Sequence, residues 1–98
     1  MACYEIDIPG SKGVDMVTGD TLKIKFKSPA KFCITSGNAS DFNPALPVGV
    51  AEPKDYEWNG TATATNATIT YSHVGHDQPC GSPAAGAPGT IKIGSGMK

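Results

Sequence analysis

Two histidines and a cysteine share one short run, His73-Val74-Gly75-His76-Asp77-Gln78-Pro79-Cys80. Imidazole nitrogen and thiolate sulfur are donors that suit copper or zinc. The H-x2-H-x3-C spacing is short enough for one loop to wrap an ion. Two further cysteines, Cys3 and Cys33, stand upstream, and three cysteines leave one over if two of them pair. His76 and Cys80 also admit a Cys-His nucleophile, which needs an orienting group, a substrate cleft and an oxyanion hole. Asp77 is the one conceivable orienter, adjacent to the histidine in sequence, and a domain this small has little room for a cleft. No enzyme is expected. The bland reading makes both histidines ordinary polar residues, one at a strand end and one in a loop. Glu52, Asp55 and Glu57 form a second acidic group, but without the spacing of a calcium loop.

The 98 residues suit a single domain, residues 1–98, with no length left for a second core. Net charge is −1, and all eight basic residues are lysines. Nucleic-acid binders lean on arginine for bidentate contacts and carry a basic excess, so no nucleic-acid partner is expected. No apolar run approaches the ~20 residues that would span a bilayer, and no signal peptide is read after Met1-Ala2.

The elements that must position these donors read as strands. Glycines and prolines are spread along the chain and punctuate short segments, as in an all-β protein with many turns. Cys3 to Ile8 alternates, with Tyr4, Ile6 and Ile8 on one face and Glu5 and Asp7 on the other. Leu22, Ile24 and Phe26 alternate with Lys23, Lys25 and Lys27, which would line a solvated face and discourage edge-to-edge association. Lys31 to Thr35 reads as a short strand. Ser36 to Trp58 reads as a long connection with one helical turn, Trp58 covering the core edge. Thr61 to Thr65 and Thr68 to His73 follow as strands, the latter with Ile69, Tyr71 and His73 on one side. Val74 to Gly89 is a loop of small residues, and Thr90 to Ile93 is the last strand. Cys3 heads the first strand, either as a buried small residue or as the lipidated first residue of an exported protein.

Two stretches resemble cupredoxins, the small blue-copper sandwich proteins. Gly19-Asp20-Thr21-Leu22-Lys23-Ile24-Lys25-Phe26 is similar to the family's "G-D-T-V-x-F" strand. Tyr71-Ser72-His73, a small-residue loop and Gly89-Thr90-Ile91-Lys92-Ile93 are similar to its last two strands and ligand loop. The resemblance implies a Greek-key two-sheet sandwich of about seven strands. It also implies bound copper, electron transfer or copper carriage, a redox or copper-delivery protein as partner, and a periplasmic or secreted location.

A blue site takes two histidines, one cysteine and a weak axial methionine. Here Cys33 or Phe32 falls where the first histidine belongs, and His73 stands near the cysteine position. No methionine stands directly before the last strand, where Ala87 or Pro88 sits; Met16 is far upstream and Met97 is at the extreme end. The resemblance therefore implies an altered site of His73, His76, Cys80 and Cys33. By the same topology it puts Cys33 and Cys80 at one end of the sandwich. The alternative is thus a Cys33–Cys80 disulfide in a metal-free binding or adhesion module.

Overall fold

The computed structural model describes residues 2–94. The strands among them are β1 (Cys3–Ile8), β2 (Val14–Val17), β3 (Thr21–Phe26), β4 (Ala30–Ser36), β5 (Phe42–Asn43), β6 (Ala51–Glu52), β7 (Glu57–Ala62), β8 (Ala67–Gly75) and β9 (Gly89–Gly94). They form a four-stranded sheet in the order β1-β3-β7-β5 and a five-stranded sheet in the order β2-β9-β8-β4-β6. Both sheets are mixed, because β1 runs parallel to β3 and β2 runs parallel to β9. The two sheets pack as an all-β sandwich.

Strand alternation decides what lies between the sheets. Each inward position of β3 is buried, Leu22, Ile24 and Phe26, and each outward position is half-buried. From the first sheet the core takes Ile6, Ile8 and Trp58; from the second it takes Phe32, Ile69, Tyr71, Ile91 and Ile93. The Phe32 and Tyr71 rings stack with centroids 5.4 Å apart. Tyr71 lies flat over Gly89, its partner across the β8–β9 ladder. A Cβ on Gly89 would sit 2.5 Å from the tyrosine ring, so only glycine leaves room for it. The Tyr71 hydroxyl donates to the Lys12 carbonyl at 2.6 Å and ties the β1–β2 connection to the second sheet.

The Gly-Asp-Thr run before β3 has a local mechanical role. One Asp20 carboxylate oxygen accepts the Ala2 amide at 2.9 Å and the other accepts the Val17 amide at 3.0 Å. One buried side chain thus anchors the start of β1 and the end of β2. These two backbone hydrogen bonds hold its carboxyl below the usual range near 3.8.

Several expectations need correction. Nine strands are present among the described residues rather than about seven. Val14–Val17 is a strand, and two-residue strands interrupt the long connection. The strand expected over Thr61 to Thr65 begins earlier, at Glu57, and Trp58 is an inward core residue of it rather than a cover at the edge. The helical turn of the connection is the 3-10 turn Ala39–Asp41. Lys23 and Lys25 do face outward, meeting Glu57 and Glu5 at 3.6 Å. Yet β3 is an interior strand, so its lysines guard no edge. Cys3 is exposed rather than buried. Met97 lies outside the described residues.

Candidate functional site

The β4–β8 ladder positions the candidate donors. Its register sets Phe32 opposite His73 and Cys33 opposite Ser72. Side chains opposite each other share a face, and successive ones alternate. His73 therefore shares the core-facing side with Phe32 and Tyr71, while Cys33 and Ser72 point away from the core. Cys33, Ser72 and Val74 are nonetheless buried, at 2%, 4% and 1% exposure. Cys33 and Val74 stand outside the main core cluster. What lies over this outer face is the chain after Gly75, brought there by Cys80.

Cys33 and Cys80 form a disulfide, with an S–S distance of 2.09 Å and Cα atoms 5.7 Å apart. Cys33 is buried in a strand and Cys80 is exposed in the loop, so the bond staples the loop to the strand. The Ala85 amide adds a second attachment, donating to the His73 carbonyl at 2.8 Å. That bond occupies the side of β8 which β9 has ceased to cover beyond Tyr71. Cys3 is the remaining thiol, and its sulfur accepts the Thr21 hydroxyl at 3.0 Å.

The two histidines have different surroundings. His76 is exposed, and its Nδ1 lies 3.4 Å from an Asp77 carboxylate oxygen. His73 is 5% exposed, and burial pushes its pKa below the ordinary 6.5. Its Nδ1 is sealed from solvent and has no hydrogen-bond partner among the described residues. Gly86 closes over the ring edge, where a Cβ would come within 3.0 Å of Cε1. Beside the ring is an open hollow of about 290 Å³, walled by Pro9, Pro29, Ala30 and Ala85.

Of the four expected metal donors, the fold brings Cys33 and Cys80 together and bonds them to each other. Neither sulfur is a thiolate in this form, and the pleat sends His73 to the opposite side of the sheet from Cys33. In this oxidised form Cys33, Cys80 and His73 are not gathered about one point. Among the described residues no group of three or more His, Cys, Asp or Glu side chains is gathered for a metal. Bonded sulfur also leaves Cys80 without a nucleophile's lone thiolate. The three acids of the long connection diverge: Glu57 meets Lys23, Asp55 is exposed, and Glu52 is buried, which raises its pKa.

Tyr71 is the other perturbed group. Burial, with the Asp7 charge as a smaller cause, pushes its pKa up to about 12, so the phenol stays a donor to Lys12. The walls of the hollow were not legible in the sequence because they come from four separate stretches and carry no shared spacing. The one legible sign was the alternation that put His73 on the side of Ile69 and Tyr71. No family model, curated protein or solved structure matches the chain, so its functional reading rests on its own residues.

Proposed function

We propose that the chain is a disulfide-stapled binding module of an oxidising, extracytoplasmic setting, using the loops at one end of the sandwich for contact. The observation that carries this reading is the Cys33–Cys80 bond. Disulfides persist in secreted and periplasmic proteins and are rare where thiol reductants prevail. A rigid β scaffold presenting a tethered loop is a common arrangement for recognition, because the scaffold lowers the ordering cost that a free loop would incur on binding.

The rival reading is the cupredoxin-like one, in which the loop holds copper once the sulfurs are reduced. A single pair of measurements separates them. Thiols are counted in the unfolded, non-reduced protein, and the folded protein is titrated with Cu(II), Cu(I) and Zn(II) while its absorption spectrum is followed. The stapled module gives one reactive thiol, that of Cys3, and no tight metal binding. A charge-transfer band that disappears in Cys80→Ser would overturn it in favour of copper.

A further inference from the structure

We propose that the hollow beside His73 is a binding site for a small, uncharged, largely apolar molecule that presents one acceptor oxygen, such as a ketone, ester or amide carbonyl, to the imidazole. This deepens the stapled-module reading and rests on it, since Ala85 of the wall belongs to the tethered loop. At about 290 Å³ the hollow lies at the lower limit of the roughly 300–1,000 Å³ typical of small-molecule sites, so the ligand is a small one. Apart from His73, Gly75 and the single hydroxyl of Ser28 its walls are apolar, from Pro9, Pro29, Ala30, Val74 and Ala85, and no charged side chain lines it among the described residues. A charged ligand would lose its hydration there with no counter-charge to replace it.

The polarity of the contact follows from the ring's environment. An N–H at the sealed Nδ1 would be a buried donor without an acceptor, and folded proteins tolerate that less often than an unfilled acceptor lone pair. Nε2 therefore carries the proton. Protonating both nitrogens would restore the orphan donor, so the ring stays neutral, in agreement with its depressed pKa. His73 lines the hollow, and Nε2, the ring nitrogen that is not sealed, offers a neutral hydrogen-bond donor there. A donor of this kind selects an acceptor oxygen over an amine or a hydrocarbon.

The test uses the full, oxidised chain labelled with nitrogen-15. Cyclohexanone, cyclohexanecarboxylate and cyclohexylammonium are titrated in turn, with the backbone amides and imidazole nitrogens followed by NMR. Cyclohexanone should give saturable shifts at Ala30, Gly75, Ala85 and the His73 ring, and both charged probes should bind at least fivefold more weakly. His73→Phe should weaken the ketone about fivefold, the worth of one neutral hydrogen bond. Ala85→Leu, a change at an exposed wall position that keeps the backbone donor, should abolish binding by filling the hollow. The proposal is overturned by a ketone titration that does not saturate, by a charged probe binding as tightly as the ketone, or by unchanged ketone affinity in Ala85→Leu. A thiol count on the same sample keeps the two readings apart. One free thiol without ketone binding sinks this site alone, whereas three free thiols sink the stapled module.

Discussion

Replacing Cys33 and Cys80 together by alanine should destabilise the fold by an amount that the position of the bond sets. The two residues are 47 apart in sequence, and in the chain-entropy model a cross-link over such a span restricts the unfolded state by about 4 kcal/mol. Cys33 is 2% exposed, and its truncation removes a little buried sulfur as well, adding roughly 1 kcal/mol. Domains of this size are stable by about 5–15 kcal/mol in total, so the double variant is marginal at the lower end and retains about two thirds of its stability at the upper. Equilibrium urea unfolding, monitored by Trp58 fluorescence, measures the difference directly. With a urea dependence of roughly 1–3 kcal/mol/M, the midpoint should fall by roughly 2–5 M. The slope should also steepen, because an unfolded chain without the cross-link exposes more surface. Reductant added to the unchanged protein should move its curve toward that of the variant. A loss below about 1 kcal/mol with an unchanged slope would refute the reasoning, since the bond would then not be constraining the unfolded chain.

Three further outcomes follow from single side chains. Asp20→Asn should lower Tm at neutral pH by weakening the bonds to Ala2 and Val17. Because the folded carboxyl titrates below its ordinary 3.8, its contribution is present above that pH and is lost as pH falls through the folded value. The gap in Tm between the two proteins should therefore close in acid; a gap constant from pH 7 to pH 2 would contradict the assignment. Gly89→Ala should cost about 1–3 kcal/mol by displacing the Tyr71 ring, and calorimetry showing no loss would mean that the ring can move freely. An NMR titration should place the His73 midpoint below 6.5. With a depressed folded pKa, its contribution to stability fades as pH drops through the unfolded value near 6.5, and a midpoint at or above that value would refute the burial argument.

The alternation of a strand is local, and it was legible. Tyr4, Ile6 and Ile8, then Leu22, Ile24 and Phe26, then Ile69, Tyr71 and His73 occupy their faces as a period of two requires, because each face follows from the backbone geometry of its own few residues. Boundaries set by packing were less so. Glu57–Ala62 holds Asn59 and Gly60, both poor strand formers, and becomes a strand because it pairs with β3 and buries Trp58. Val14–Val17 is too short to stand out, and its pairing partner lies more than seventy residues further on in β9.

The candidate site divides along the same line. Sequence alone placed three cysteines and two histidines and, through a resemblance, the pairing of Cys33 with Cys80 as one outcome beside an altered metal site and free thiols. It also implied the parity that separates His73 from Ser72. The register between β4 and β8 belongs to the tertiary structure alone, since no local pattern states which residues of two distant strands lie side by side. That register turns Cys33 outward toward Cys80 and His73 inward, and so parts the four expected ligands of one ion: a Cys33–Cys80 staple on one face, a buried His73 on the other, and His76 exposed in the loop.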